Sequence, residues 1–266
     1  VVITGVGLVE APTPEALAAD VAGLSDAHLR HADRVGLLAV AAARRALADA
    51  RLLPAPEDLG LSFGIGFGTY DVNARHQRRI LEEGIAHASP AEFTLTLPNM
   101  TAAFVSIAFG IRGETTTFAD GTLAGATALG AALDRVRAGS GPVLVGGAES
   151  LTPDGAHALE RAGVWSAGDW PEFGSALVVE SAAGALARGV RRRVEVAGCG
   201  SGDGPIMAAG GTAFRQAVAE ASDDFASPLN VGLPAPRLFT FGDATDQVSR
   251  APSALSLARL VAAHQG

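Results

Sequence analysis

The sequence contains no lysine; all 20 of its basic residues are arginine. A Schiff-base lysine, or a lysine on nucleotide phosphates, is therefore excluded within this chain. Cysteine is nearly as scarce. The one residue, Cys199, forbids an internal disulfide and any multi-cysteine metal site, and this usage points to a reducing, cytoplasmic setting. Aromatic residues are only 5% of the chain. The densest basic run, Arg191-Arg192-Arg193, has no interleaved aromatics and lies on a background of net charge −8, so it reads as a solvated strand edge and nucleic acid is not an expected partner. No apolar run reaches the roughly 18 residues of a membrane helix, because Gly, Arg, Asp or Thr interrupts each one. The first residues are neither basic nor signal-like, so neither a membrane span nor a targeting segment is expected.

Motifs for several chemistries are missing too. Six histidines (His28, His31, His76, His87, His157, His264) form no HExxH, HxH or carboxylate cluster at ligand spacing, so no metal is expected. The glycine-rich stretches 64–68 (GIGFG) and 198–204 (GCGSGDG) match neither the dinucleotide fingerprint nor a P-loop. They read as turn and close-packing glycines, and no cofactor is expected. No GxSxG elbow exists to begin a hydrolase triad.

What is present is a large core: 266 residues, 48% of them hydrophobic, enough for one large α/β domain or two small ones. Residues 1–9 form an apolar run ending in the glycines of Ile3-Thr4-Gly5-Val6-Gly7, a buried strand meeting a turn. Residues 33–51 carry Val35, Leu38, Ala42 and Leu47 at helical spacing, with Arg44 and Arg45 opposite and Pro54 beyond the end. Strands are predicted at 61–68, 115–119, 141–147, 175–180 and 193–197, and helices at 70–83, 98–109 and 123–138. Beyond Cys199 the pattern weakens to helices at 213–221 and 253–264 around a proline-rich stretch at 222–236. Alternating strands and helices of these lengths predict βαβ crossovers, hence a largely parallel sheet with helices on both faces.

The most informative stretch is 109–150, FGIRGETTTFADGTLAGATALGAALDRVRAGSGPVLVGGAES. It reads as a helix end, a strand, a tight turn opening a helix, and a returning strand. The turn at 120–123 places a side chain at the helix N-terminus, where a nucleophile or anion is favoured. Here the sequence resembles the β-ketoacyl synthases of the thiolase-like superfamily, whose pattern runs FGxxGP, strand, TAC(A/S)SG turn, Ala-rich helix and VLVGGxE. Residues 1–7 resemble the family's opening strand, 33–50 its first long helix, Pro98-Asn99-Met100 the opening of its interface helix, and 174–189 its GEGAxxLVLExxxxAxxRG segment. The resemblance implies an α/β, thiolase-like layered αβα architecture. Its N-terminal half would span 1–200, and 201–266 would be a reduced, truncated remnant of the C-terminal half.

Three departures accompany the resemblance. Aligned without gaps between Gly113 and Gly125, the family's catalytic cysteine falls on Thr122, whose hydroxyl stays protonated near neutral pH without a base. No HGT string occurs, and Asp243 of Phe241-Gly242-Asp243 stands where the family's second histidine would align. Family condensation chemistry needs the thiol and both histidines. The resemblance therefore implies a pseudoenzyme without catalytic residues: a chain length factor of a type II polyketide synthase, of the highly reducing or aryl-polyene kind. Such a subunit forms a heterodimer with a catalytic ketosynthase in polyketide or antibiotic biosynthesis.

On that reading Phe67, Tyr70, Asn73, Gln77, Phe93 and Met100 shape the acyl tunnel, Phe67 and Tyr70 at the end of the glycine-rich strand. Tyr70, Asn73 and Gln77 share a helical face by their spacing, while ordinary packing is the alternative for each residue and most of all for Phe67. The resemblance places the pair interface on Thr115, Thr116, Thr117, Phe118, Asn99 and Met100. An acidic carrier protein should dock mainly through the partner, because this chain is itself acidic. Two alternatives stay open: a decarboxylase or acyltransferase using Thr122 with Asp243 or His157 as base, and a free-standing acyl-binding module.

Overall fold

The computed structural model describes residues 1–24, 31–121, 124–162 and 172–196, together with the backbone of residues 237–238. In chain order the elements are β1 (Val2–Glu10), α1 (Pro14–Val21), α2 (Arg34–Asp49), β2 (Gly60–Gly64), α3 (Tyr70–Glu83), a 3-10 turn (Ile85–His87), α4 (Pro90–Leu95) and α5 (Asn99–Phe109). They continue with β3 (Thr115–Phe118), α6 (Ala124–Arg137), β4 (Val143–Glu149), α7 (Pro153–Arg161), β5 (Phe173–Glu180), α8 (Ala182–Ala187), β6 (Val194–Val196) and β7 (Arg237–Leu238). Of the expectations above, those on His28, Thr122, Cys199, Asp243, His264 and the helices and loop beyond 200 lie outside the described residues.

Helices begin where short polar side chains satisfy their first amides. Thr13, Asp33, Ser89, Thr152 and Ser181 each accept a hydrogen bond from the amide three residues on. Proline follows Thr13, Ser89 and Thr152 at the first helical position, where its missing N–H costs nothing.

The strands order as β3-β2-β4-β5-β1-β6-β7. β2 runs parallel to β3 and β4, and β6 to β7. The pairings β4–β5, β5–β1 and β1–β6 are antiparallel. The expected largely parallel sheet is thus corrected to a mixed one. β4 and β5 are buried along their whole length because helices cover both faces, so their uninterrupted apolar runs carry the composition of parallel strands whichever way they point.

Side chains alternate between two cores with a period of two. Leu144, Ala148, Ala176 and Val178 pack with Leu61 and Phe63 against α2 and α5, through Leu38, Ala42, Phe104 and Val105. Val143, Val145, Leu177 and Val179 pack with Ile3 against α6, through Ala128, Leu129, Ala132 and Leu133. The three layers are helix, sheet and helix, as the resemblance implied. α2 lies so close to β1 that a Cβ on Gly7 would sit 2.7 Å from the Ala46 amide nitrogen and collide with the Ala42 carbonyl.

Two further expectations change. The strand predicted at 61–68 ends at Gly64: the Ile65 amide makes a last bond to the Phe118 carbonyl, and the amides of Gly66 and Phe67 turn toward a buried carboxylate instead of extending the ladder. Phe67 therefore stands in a turn, and Tyr70 is the first residue of α3 instead of part of a strand end. The arginine run is not wholly solvated: the Arg193 guanidinium pairs with Asp49, and its amide donates to the Ile3 carbonyl at 2.8 Å. Among the described residues no helix is long and apolar enough to cross a membrane.

Candidate functional site

The parallel strands β2, β3 and β4 end level with one another, Gly64 standing opposite both Phe118 and Gly147. From these carboxyl ends the chain passes into α3, α6 and α7, so one edge of the sheet collects the loops before three helices. Sites of α/β proteins form at such edges. The turn between β3 and α6 contains Gly121 at φ +61°, a left-handed conformation that a side chain strains. Thr122 follows it.

Beneath that turn lies a carboxylate. Glu149 closes β4, is 4% exposed, and accepts hydrogen bonds from the amides of Gly66 and Phe67, the latter at 3.1 Å to Oε1 and 3.0 Å to Oε2. The glycines leave it room. A Cβ on Gly66 would approach Glu149 Oε1 to 2.7 Å and the Gly121 carbonyl oxygen to 2.9 Å. The stretch 64–68 is thus a cradle for the chain's own carboxylate. Burial pushes Glu149 up to about 7, against the opposing pull of the amides of Gly66, Phe67 and Gly68.

That shift has a measurable sign. With a folded value above the unfolded one, the native chain holds a proton that the unfolded chain releases, so the stabilisation is complete below about 4.5 and is lost as pH rises through about 7. Urea unfolding at pH 5 and pH 8 should show wild type losing roughly 3 kcal/mol more over this interval than Glu149→Gln. Equal losses in the two proteins would refute the assignment.

Of the tunnel candidates, Tyr70, Asn73 and Gln77 lie on α3, Phe93 on α4, Met100 on α5, and Phe67 in the turn before α3. Phe67 is half-buried, and its ring comes within 3.6 Å of where a Gly121 Cβ would stand, so it is the candidate nearest the turn before Thr122. Tyr70 is 37% exposed and Gln77 is exposed, while the buried residues of α3 are Val72 and His76. Asn73 has a structural task as well: its Nδ2 donates to the carbonyls of Thr69 and Thr96, both at 3.0 Å, tying α3 to the end of α4. Phe93 is 54% exposed with its ring centroid 6.0 Å from that of His76. Met100 is half-buried against the α2–α5 core.

The interface candidates form a second group. Among the described strands β3 stands at one end of the sheet, with Thr115 exposed and Thr116, Thr117 and Phe118 half-buried. Asn99 is the exposed first residue of α5. His157 is exposed on α7. Among the described residues no group of three His, Cys, Asp or Glu is placed to hold a metal ion.

Sequence reasoning passed over the buried Glu149 and the half-buried Glu92, and it weighed the buried His76 only as a metal ligand. The hydrogen bond from Arg75, with the charge of Arg79 nearby, holds Glu92 below the usual carboxylate range despite its burial. A glutamate directly after an apolar strand, as in VLVGGAE, was the one available signal for Glu149.

The model of a protein family described as beta-ketoacyl synthase, N-terminal domain, matches residues 5–183. Nodulation protein E of Rhizobium leguminosarum bv. trifolii is 32% identical over 193 residues, covering 64% of this chain and 47% of that protein. The chain thus spans about half the length of this curated relative. A β-ketoacyl synthase crystal structure from Burkholderia phymatum STM815 matches with a TM-score of 0.70 at 21% identity, covering 84% of this chain and 69% of that one. The ishigamide ketosynthase/chain length factor matches with a TM-score of 0.65, also at 21% identity over 84% of this chain and 69% of that one. These likenesses show the thiolase-like fold.

Proposed function

Because this chain belongs to the β-ketoacyl synthase family, with the family's N-terminal domain over residues 5–183, we propose that it is a non-catalytic chain length factor. It pairs with a catalytic ketosynthase in polyketide synthesis and helps to wall the tunnel that holds the growing acyl chain. The supporting observation is the fate of the nucleophile turn: the flanking strand β3 and helix α6 are retained, and the residue aligned with the thiol is Thr122. A threonine hydroxyl has no thiol with which to hold the acyl chain as a thioester, and without a base it is too weak a nucleophile to take that chain as an ester. The complex is a heterodimer joined along β3 and α5, and an acidic carrier protein docks mainly on the partner, since like charges disfavour docking here.

Co-expression with the partner ketosynthase, light scattering and a chain-extension assay test this reading. Thr122→Ala should leave the extension rate within about twofold of wild type, which is under about 0.5 kcal/mol in the barrier. Tyr70→Ala, Gln77→Ala and Phe93→Ala should each shift product length. If the chain is active alone and Thr122→Ala abolishes that activity, it is instead a decarboxylase or acyltransferase that uses Thr122. If it stays monomeric and retains a fatty acid, it is an acyl-binding module.

A further inference from the structure

Helix α4 is six residues long and none of them is fully buried. Apolar burial contributes little to its placement: Phe93 is 54% and Leu97, just beyond it, 40% exposed, and only Leu95 is half-buried against the core. Its N-terminus reads Ser89-Pro90-Ala91-Glu92, the spacing of a capping box, in which a glutamate reaches back to the amide of its own cap. Half of the box is formed, since the Ser89 hydroxyl accepts from the Glu92 amide at 3.2 Å. The Glu92 carboxylate is instead directed to α3. Arg75 Nε donates to Oε1 at 2.6 Å, Arg79 lies 3.1 Å from Oε2, and His76 Nδ1 stands 3.6 Å from the same oxygen. The Glu92 side chain is 12% exposed and that of His76 10%, while the side chains of Arg75 and Arg79 are 56% and 37% exposed, so the carboxylate is shielded on its inner side and its arginine partners reach it from the solvent side. The Asn73 bond to the Thr96 carbonyl and the tilted contact of the Phe93 ring with that of His76 complete the attachment.

We infer that Glu92 is a positioning residue, a latch to Arg75, His76 and Arg79 that fixes α4 on α3 and thereby sets where Phe93 stands in the tunnel wall. The inference about product length rests on the chain length factor reading; the latch itself does not. Releasing Glu92 lets α4 move away from α3, and the wall loses its fixed stop.

Two measurements separate the two claims. Hydrogen exchange on the isolated chain reads the latch: Glu92→Gln should accelerate exchange of amides in 88–97 by about tenfold, with the β4 and β5 amides unchanged. Glu92→Asp, which keeps the charge, should restore part of the protection. Product analysis of the complex with its ketosynthase reads the consequence: Glu92→Gln should broaden product length in the direction given by Phe93→Ala, at an unchanged rate for the first extension. Exchange that Glu92→Gln leaves as in wild type overturns the latch. Accelerated exchange with product length unmoved by both Glu92→Gln and Phe93→Ala keeps the latch and overturns the chain length reading. Product length moved by Phe93→Ala alone, with exchange accelerated, overturns the claim that the latch sets Phe93.

Discussion

Thr117→Pro should abolish the proposed pairing with a ketosynthase while leaving the isolated chain folded. Leu61 donates its amide to the Glu114 carbonyl and Ile65 to the Phe118 carbonyl, both at 2.9 Å, in a parallel ladder with Leu61 opposite Thr115. In that pattern Glu114, Thr116 and Phe118 use their backbone groups toward β2, and the amides of Thr115 and Thr117 point away from it. Proline at 117 removes an outward donor and no bond of the sheet itself, a kind of edge-strand position where proline is tolerated. A partner that adds a strand to β3 loses that bond and meets the ring. The expected loss is at least about a hundredfold in Kd, or about 2.7 kcal/mol, read by light scattering and titration of the purified subunits. Thr116→Pro supplies the contrast, because it breaks the ladder to β2 and should lower the melting temperature of the chain alone. Unchanged affinity in a folded Thr117→Pro chain would remove β3 from the interface.

The second large effect is on folding and needs one methyl group. Gly7→Ala places a Cβ against backbone atoms of α2, the Ala42 carbonyl and the Ala46 nitrogen, neither of which can swing aside as a side chain would. Relief requires α2 to lift from the sheet, opening the packing of Leu38, Ala42 and Ala46 on β1 and β5. Overpacking of this kind costs about 3 kcal/mol or more. Gly139→Ala is the comparison: nothing lies within 4 Å of a Cβ there, and only the φ of +94° opposes the change. That strain is worth about 1–2 kcal/mol. Urea denaturation of the two variants should rank them in that order, and a Gly7→Ala chain as stable as wild type would contradict the close approach of α2.

The four long helices α2, α3, α5 and α6 and most strands were legible because their patterns are local, whereas the short helices α1, α4, α7 and α8 were not predicted. Asp33 before an Ala-rich stripe marks a helix start by chemistry that acts within a turn, and the same signal in Thr or Ser before Pro or Ala at Thr13, Ser89, Thr152 and Ser181 was passed over because the helices it opens are short. Strand direction was not legible, since β4 and β5 are buried on both faces and carry no sign of their orientation. The end of β2 was missed for another reason: Ile65 to Gly68 is apolar enough to continue a strand, and what stops it is Glu149, more than 80 positions away. Arg193 was misread for the same cause, its partner Asp49 being far off in sequence. The candidate site shows both cases. The turn at Gly121 follows from contiguous residues, whereas the carboxylate beneath it and the attachment of α4 through Glu92 depend on pairs brought together only by the fold.

The placement of β1 also governs the order in which the sheet can close. Its described neighbours are β5 and β6, with Val2 opposite both Glu180 and Glu195. The β2, β3 and β4 cluster needs only residues up to 149, so it can assemble while β1 still lacks a neighbour on either side. During synthesis the apolar segment Val2–Glu10 therefore waits with both edges open for roughly 170 residues, a period in which unpaired strand edges invite association between chains.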